Sequence, residues 1–463
     1  MADDAPVTLL ILGAGGDLTH RLLLPGLGSL LTAEPKRKVQ VVGADRESMT
    51  PAQWKKLIEK AFADVPVPAR PTRSVVSKAR YEQTDLLDPE QLGRLIGSCK
   101  GPLVIYFALP PSVSMKVCQL LEDIELPQPT RLALEKPFGT DEKSARDFNE
   151  QLHKLVPEEQ IFRVDHFLGV STVLNLIGLR FANRILQPIW NAEHIERVEI
   201  LYDEDLALEG RAGYYDGAGA LKDMLQSHLL QVLAIFAMES IAELSAQELQ
   251  DQKAQVLRST RLWGNSAKRA SKRARYTTGS IGRRKVPSYV DEEGVDPKRN
   301  TETLAQVQVE VRNNRWAGVP FTLRSGKALG TARKQIVCYF RPVGHVPTGF
   351  ENTSPPDKLI IDLKPGAVSF VLTMNAEGSP LDLEQKTLRA ELAAGRMLPY
   401  GEVLSYILDG DPLLSVRGDS AESCWHIVEP VLKAWAAGKV PMEEYAAGSE
   451  GPEGWLPKDS VVG

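Results

Sequence analysis

A short apolar segment followed at once by a cluster of glycines constrains the fold of this chain more than any other feature. Residues 7–13 read Val-Thr-Leu-Leu-Ile-Leu-Gly, and the sequence continues Ala14-Gly15-Gly16-Asp17-Leu18. An almost uninterrupted apolar run of this length is typical of a strand that is buried on both faces of a parallel sheet. Apolar residues then recur at helical spacing through Leu31, although Pro25 and nearby glycines predict an irregular helix. The segment predicts a strand, a tight turn and a helix.

The glycines of this turn allow the chain to bend sharply, and they also favour the binding of a phosphate group. They let the backbone approach a pyrophosphate closely, and the N-terminus of the following helix offers N–H groups to its negative charge. We therefore predict that the turn binds the pyrophosphate of a dinucleotide. The residues concerned are Gly13, Gly15, Gly16, Asp17 and Leu18. Leu18 replaces the third glycine of the usual fingerprint, and a plain tight turn is the alternative interpretation.

Strands and helices alternate through the first third of the chain. Further strand-like runs are Val39–Ala44, Leu103–Leu109, Arg131–Leu134 and Gln160–Val164, and helix-like stretches between them are Pro51–Ala63, Pro89–Ser98 and Asp141–Leu155. This alternation predicts an open, parallel α/β sheet of the Rossmann type. It ends near Arg163, so we place a domain boundary at residue 165, which gives a dinucleotide-binding domain at 1–165.

The remaining residues, 166–463, show a different pattern. Strand-like stretches follow one another at Ile195–Tyr202, Ala305–Val311, Lys334–Phe340, Lys358–Leu363 and Ala367–Met374, and long apolar helices are predicted at Leu221–Met238 and Ala421–Ala436. Consecutive strands indicate a mostly antiparallel sheet, on which the helices would pack. We predict an α+β domain with a large, mostly antiparallel sheet.

The end of the second predicted strand reads Asp45-Arg46-Glu47, where a dinucleotide-binding fold contacts the adenosine ribose. An acid at this place accepts hydrogen bonds from the ribose hydroxyls of NAD, whereas an arginine pairs with the 2′-phosphate of NADP. Both residue types are present. We predict NADP, bound through Arg46, with NAD as the alternative; Glu47 is equally well explained as part of a solvated charged loop.

Composition narrows the protein class. The net charge is −5 over 463 residues, and four cysteines lie far apart without metal-ligand or redox spacing. The start of the chain is acidic and lacks the features of a signal peptide, and no apolar run is long enough to cross a membrane. These features predict a cytoplasmic protein with no metal, membrane or nucleic-acid partner. The basic segment 268–285 has little aromatic interleaving, so a solvated or acid-paired face explains it better than nucleic-acid binding.

Several phrases, far apart in the chain, carry a resemblance to a known family. They are Gly13–Arg21, Phe107–Pro111, Glu135–Gly139, Arg163–Gly169, Leu179–Asn183, Gly210–Glu239, Asn300–Thr303, Gly318–Phe321 and Arg324–Lys327. Each phrase alone is weak evidence for a family. Together, however, the phrases occur in the order found in glucose-6-phosphate dehydrogenases and cover nearly the whole chain. The sequence therefore resembles that family.

The resemblance implies an oxidation of the sugar C1 to a lactone, with hydride transfer to a nicotinamide cofactor. It implies that His228 removes the proton of the anomeric hydroxyl and that Asp165 orients its imidazole. Histidine suits this task because its unperturbed pKa is about 6.5. Substrate-binding roles are implied for His166, Lys136, Glu204, Asp223 and Lys327, with Lys136 also contacting the cofactor. The resemblance also implies that residues 166–463 form a substrate-binding and dimerisation domain, and that the protein is a homodimer or homotetramer.

Three residues depart from the family around the sugar phosphate. Phe167 stands where tyrosine is usual, and Val170 and Leu22 stand where lysines are usual. None can donate a side-chain hydrogen bond to a phosphate, which needs donors or cations when it leaves water. A different or non-phosphorylated hexose is therefore an alternative substrate. A second alternative is a non-catalytic NADP-binding regulatory protein, although the retained His228 argues against it because sensing needs no general base.

Overall fold

The structure is a computed structural model that describes residues 6–352 and 355–456. These residues form two compact units. One contains the chain up to Leu174 together with Ile241–Ala254 and Gly395–Ser423, and the other contains Asn175–Ser240, Gln255–Ala394 and the chain from Cys424. The domain limits 1–165 and 166–463 stay a prediction. The acidic residues 1–5, from which we predict the lack of a signal peptide, lie outside the described residues.

A parallel sheet forms the centre of the first unit. Its strands are β1 (Val7–Leu12), β2 (Val39–Asp45), β3 (Arg80–Gln83), β4 (Leu103–Phe107), β5 (Thr130–Glu135) and β6 (Ile161–Val164). In the described part of the chain the sheet has six strands in the order β3-β2-β1-β4-β5-β6, all pairs being parallel. This is the order of dinucleotide-binding folds, so the Rossmann-like prediction is confirmed. Leu9 and its neighbours to Leu12 are fully buried, as a central strand requires.

Local capping signals explain where several helices of this unit begin. Thr50 and Gln53 form a reciprocal capping box, with Gln53 N donating to Thr50 Oγ1 at 3.2 Å and Thr50 N donating to Gln53 Oε1 at 2.8 Å. Asp88 Oδ1 accepts from two backbone N–H groups in the first turn of its helix. The α-helices are Leu24–Ala33, Pro51–Ala63, Ala69–Lys78, Pro89–Ser98, Pro111–Leu121, Glu142–Leu155 and Pro399–Asp409. The irregular first helix is confirmed, since a π-helix, Thr19–Leu23, precedes Leu24–Ala33.

A helix from late in the chain completes the first unit. Helix Pro399–Asp409 packs on Leu24–Ala33, and a Cβ added at Gly26 would lie only 2.6 Å from Cβ of Tyr400. The small residue allows the two backbones to approach closely. Arg37 also forms a bidentate ion pair with Asp409, at 2.9 Å for both bonds. Sequence patterns did not indicate this packing because the partners lie more than 360 positions apart.

A large mixed sheet forms the second unit. Its strands are β7 (Ile195–Asp203), β8 (Thr260–Leu262), β9 (Ser271–Thr277), β12 (Leu304–Val311), β13 (Pro320–Gly326), β14 (Arg333–Phe340), β15 (Lys358–Leu363), β16 (Gly366–Ala376), β17 (Ser379–Glu391) and β18 (Met442–Ala446). Strands β10 (Gly279–Ile281) and β11 (Arg284–Val286) form a separate hairpin. Along the described residues the main order is β17-β16-β15-β14-β7-β13-β12-β9-β18, with β8 beside β12. Most pairs are antiparallel, as predicted, and β7–β13 and β9–β18 are parallel.

The long apolar helix predicted at Leu221–Met238 is divided into two forms. Leu221–Leu229 is a π-helix, and Leu230–Ala237 continues it as an α-helix. Helix Ala212–Ala220 precedes them and is interrupted at Gly219, whose φ is 70° and ψ is 169°. The remaining α-helices are Ser171–Phe181, Ala246–Ser259, Ala267–Ala270 and Gly418–Ala436. Among the described residues, none of the helices is both long and apolar enough to cross a membrane.

The basic segment 268–285 lies largely on strand β9 and the β10–β11 hairpin. Arg273 is buried, donates to the backbone O of Val440 at 2.9 Å, and stacks over Trp435. Arg284 pairs with Glu209, and Arg275 lies 3.9 Å from Glu444. Several of these cations are therefore engaged inside the second unit, in agreement with an acid-paired face.

Candidate active site

The predicted site residues of the first unit lie at one edge of its sheet. The glycine turn follows β1, Arg46 follows β2, Lys136 follows β5, and Asp165 and His166 follow β6. Because all these strands are parallel, their carboxyl ends meet at the same edge. The strand order reverses between β1 and β4, which is where open α/β sheets bind dinucleotides. The first unit thus presents the predicted residues where a dinucleotide fits.

The glycine turn has a geometry that only a glycine permits at its first position. Gly13 has a φ of 86°, and a Cβ there would collide with the backbone O of Ala108. Its N–H donates to the backbone O of Ala44 at 2.9 Å, and Gly16 N donates to Gly13 O at 3.0 Å. The chain thereby turns sharply at the end of β1, and Gly15 and Gly16, which are half-buried, lack the side chains that would keep a phosphate group away from the backbone. These features fit a dinucleotide.

Asp45 and Arg46 have different surroundings. Oδ2 of Asp45 accepts a hydrogen bond from Gly15 N at 3.0 Å, which ties the end of β2 to the glycine turn. Arg46 is exposed, and its backbone O accepts from Nε2 of Gln83 at 3.1 Å. The Tyr81 hydroxyl donates to the backbone O of Glu47 at 2.7 Å. Two side chains of β3 therefore hold the backbone from which Arg46 projects.

Lys136 directly follows a carboxyl group with an unusual environment. The Tyr106 hydroxyl donates to Oε1 of Glu135 at 2.5 Å, and Tyr400 hydrogen-bonds the same carboxyl group. Burial raises the pKa of Glu135 to about 7, although both tyrosines and the nearby Lys136 lower it. The Lys136–Pro137 peptide bond is cis.

Asp165 and His166 begin a short 3-10 helix, His166–Gly169. Oδ1 of the buried Asp165 accepts from Phe167 N at 2.9 Å, so the carboxylate caps this helix. The imidazole of His166 stacks on Tyr400 with 5.5 Å between the ring centres and 14° between the planes. Phe167 is buried and Val170 is half-buried, whereas Leu22 is exposed. Aromatic packing therefore accounts for His166 and Phe167 in part; the substrate role of His166 stays a prediction.

In the second unit, two predicted substrate residues lie side by side. Glu204 follows β7 and Lys327 follows β13, and these strands are parallel neighbours with Asp203 opposite Gly326. Their side chains consequently meet, with 2.8 Å between Lys327 Nζ and Glu204 Oε2. The backbone strengthens the arrangement, since Glu204 N donates to Gly326 O at 2.8 Å.

A second lysine and two tyrosines extend this pair into a cluster that the sequence interpretation only partly included. Lys334 Nζ lies 3.9 Å from Glu204 Oε1, because β14 pairs with β7 on its other side. Lys327 Nζ lies 5.2 Å from the ring centre of Tyr215. The hydroxyl group of the neighbouring Tyr214 donates a hydrogen bond to Asp223 Oδ1 at 3.2 Å. The adjacent tyrosines within the Gly210–Glu239 phrase were the available sequence signal for these contacts.

Asp223 and His228 lie on the π-helix Leu221–Leu229. His228 is buried, whereas Asp223 is half-buried. π-Helical turns are uncommon and occur frequently at functional sites, because they change the direction of individual side chains. The second unit therefore combines a buried histidine with acceptors and cations that suit a phosphorylated polyol. The pairing of His228 with Asp165 stays a prediction.

Comparisons with known proteins agree with this arrangement. Residues 10–175 match the family model described as "Glucose-6-phosphate dehydrogenase, NAD binding domain", and residues 177–456 match "Glucose-6-phosphate dehydrogenase, C-terminal domain". The chain is similar to the glucose-6-phosphate 1-dehydrogenases of Dickeya dadantii, with 34% identity over 96% of this chain and 94% of that protein, and of Gluconobacter oxydans, with 36% identity over 97% and 95%. It is also similar to a solved glucose-6-phosphate dehydrogenase in complex with glucose 6-phosphate, with a TM-score of 0.86, 27% identity, and coverage of 98% of this chain and 97% of that one.

Proposed function

The chain belongs to the glucose-6-phosphate dehydrogenase family, and we propose that it oxidises C1 of glucose 6-phosphate to the lactone with a nicotinamide cofactor as hydride acceptor. The observation that carries this proposal is the polar cluster of the second unit. Glu204 lies within 4 Å of both Lys327 and Lys334, and Asp223 accepts from Tyr214. Carboxylates bind sugar hydroxyls and two ammonium groups bind a phosphate dianion, so the cluster suits both parts of the substrate.

The chain's own residues divide the reaction into proton removal and substrate orientation. His228 takes the proton of the anomeric hydroxyl, and the C1–O bond becomes a carbonyl as the hydride leaves C1. The bound nicotinamide supplies the hydride acceptor at its C4. Asp165 holds the imidazole in the tautomer that accepts the proton and stabilises the imidazolium that forms. Lys136, which follows β5, orients the sugar hydroxyls and the cofactor, and His166 contributes to the substrate side.

Cofactor preference follows from the residues at the end of β2. We propose NADP, because Asp45 already accepts from Gly15 N, which leaves the exposed guanidinium of Arg46 to bind the 2′-phosphate. The glycine turn, comprising Gly13, Gly15, Gly16, Asp17 and Leu18, binds the pyrophosphate. NAD remains the alternative cofactor, since the ribose of NAD needs no cation at this place.

Replacing Arg46 with Ala is expected to weaken NADP and leave NAD nearly unchanged. A charge-assisted hydrogen bond contributes roughly 1.5–3 kcal/mol, so the KM for NADP should rise about tenfold or more. Steady-state kinetics with each cofactor measure the difference. Arg94→Ala, an exposed arginine on helix Pro89–Ser98, is the matched control and should change neither KM. Equal losses for both cofactors would reject the assignment.

The two alternative functions are not favoured. Phe167, Val170 and Leu22 lack the donors usual at the phosphate, but two lysines of the second unit lie beside Glu204. The matched residues 10–175 and 177–456 include all the residues to which we assign catalytic or substrate-binding roles. A regulatory protein that only senses NADP would not need this complete set.

Initial rates with glucose 6-phosphate and with free glucose, each with NADP and NAD, test the proposal. We expect kcat/KM to be highest for glucose 6-phosphate with NADP. A charge-assisted contact to the phosphate predicts a preference over free glucose of at least about tenfold. Equal or better turnover of free glucose would favour the non-phosphorylated substrate instead. Cofactor binding without turnover of either sugar would favour the regulatory function.

We propose further that the protein is a cytoplasmic homodimer or homotetramer. All four cysteines are buried free thiols, which suits a reducing compartment. Strand β17 lies at the end of the sheet order and exposes Leu381 and Leu388, each at 53%. An exposed edge strand with apolar side chains is suited to pairing with a second copy. Sedimentation equilibrium that detected only monomers would contradict this.

A further inference from the structure

The N-terminus of the π-helix Leu221–Leu229 is held by a residue from another part of the second unit. Helix Ala212–Ala220 breaks at Gly219, so the next helix begins with backbone N–H groups that lack partners in a preceding turn. Leu221 N donates to Oε1 of Glu302 at 2.9 Å, and Ala220 N donates to the backbone O of Glu302 at 3.3 Å. Glu302 therefore caps this helix twice, 81 positions along the chain from Leu221.

The contact depends on the absence of a side chain at Gly219. A Cβ at this residue would lie 2.5 Å from Oε1 and 2.8 Å from Cδ of Glu302, and the φ of 70° is itself unfavourable for other residues. Glu302 is buried, so its carboxyl group has little room to move away. The glycine and the carboxyl group thus form one close contact at the beginning of the helix.

The residue after Glu302 holds a second part of the same site. The backbone O of Thr303 accepts from Lys327 N at 2.9 Å, and the Tyr445 hydroxyl donates to Lys327 O at 2.6 Å while lying 2.9 Å from Oγ1 of Thr303. Residues 302–303 therefore contact both the helix that bears Asp223 and His228 and the backbone of Lys327. The Asn300–Thr303 phrase thus contacts two segments that bear predicted site residues.

We propose that Glu302 is a positioning residue, which holds the N-terminus of the π-helix so that His228 and Asp223 face the sugar correctly. The inference rests on the proposed function, because it assigns Glu302 to the base of that reaction. Removing the cap would let the helix shift, and a displacement near 1 Å in a proton-transfer group costs up to about a hundredfold in rate.

The electrostatic surroundings support a neutral as well as a charged cap. The pKa of Glu302 is raised to about 7. Burial is the cause, and its effect is partly offset by the Leu221 N–H, Lys222 and Arg273, which lower the pKa. Burial is the largest cause of the raised pKa values of Tyr215 and Tyr289, and the nearby Glu302 contributes to both. An oxygen acceptor toward Leu221 N is present in either protonation form, so glutamine should replace glutamate well.

Glu302→Leu, Glu302→Gln and Gly219→Ala in the full-length protein test this role. We expect Glu302→Leu and Gly219→Ala to lower kcat by about ten- to a hundredfold, with the KM for the nicotinamide cofactor unchanged. Glu302→Gln should stay within about threefold of wild type, because the amide oxygen keeps the hydrogen bond. With C1-deuterated glucose 6-phosphate, the isotope effect on kcat should rise in the two impaired variants, since a misplaced base slows the chemical step.

The matched control is Gly438→Ala, which has a similar φ of 65° and no neighbouring atom within 4 Å of an added Cβ. It should keep the wild-type kcat and isotope effect. Two results would overturn the inference: equal losses of kcat in Glu302→Gln and Glu302→Leu, or an unchanged kcat and isotope effect in Gly219→Ala. If Glu302→Leu does not fold, the measurements on Gly219→Ala decide. A wild-type protein that does not oxidise glucose 6-phosphate would instead contradict the proposed function.

Discussion

Replacing His228 with Asn is expected to lower kcat by about two to four orders of magnitude, the usual range for the loss of a general base. His228 is buried on the π-helix Leu221–Leu229, and asparagine keeps a polar side chain at this position without a group that can take the proton at neutral pH. The proposed cofactor residues all belong to the first unit, so the Kd for NADP should stay unchanged. Single-turnover kinetics and cofactor titration separate these two quantities.

Two other histidines serve as comparisons for this variant. His153 is exposed on helix Glu142–Leu155 and lies 2.8 Å from Glu158, so His153→Asn should keep full activity. His166 is the competing candidate for the base because it directly follows Asp165. If His166→Asn loses the chemical step while it still binds sugar, and His228→Asn keeps that step, the base is His166 and the assignment fails.

Replacing Asp165 with Asn is expected to lower kcat by roughly two to four orders of magnitude as well. Asparagine is the informative substitution, because its side-chain oxygen can still accept from Phe167 N, as Oδ1 of Asp165 does at 2.9 Å. The cap of helix His166–Gly169 should therefore survive, and only the negative charge that stabilises the imidazolium is lost. Thermal unfolding should show a Tm close to that of the wild type.

The double variant, Asp165→Asn with His228→Asn, distinguishes a catalytic pair from two independent residues. If Asp165 acts through His228, the double variant should be impaired about as much as the worse single variant, because residues that act as a unit are not additive. Losses that multiply would mean that Asp165 works independently of the base. A preserved kcat in Asp165→Asn would remove it from the mechanism altogether.

Local sequence signals were sufficient for most of the first sheet and its helices. Strand β1 was predicted because its apolar run is typical of burial on both faces, and helix Pro51–Ala63 was predicted with the bounds that the structure shows. Strand β3, Arg80–Gln83, was not predicted, since four mostly polar residues at the edge of a sheet carry no clear periodicity. The contact between helices Leu24–Ala33 and Pro399–Asp409 was also beyond prediction, because close helix packing leaves only scattered glycines in the sequence.

For the site, the chain by itself determined which residues are available and in what order, and this order identified the family and its chemistry. The tertiary structure decided which of them touch. The parallel pairing of β7 with β13 brings Lys327 within 2.8 Å of Glu204 across 123 positions. The break at Gly219 creates the unpaired helix start that Glu302 caps from 81 positions away. Such contacts depend on strand pairing and close backbone packing between distant segments, and neither leaves a periodic pattern in the sequence.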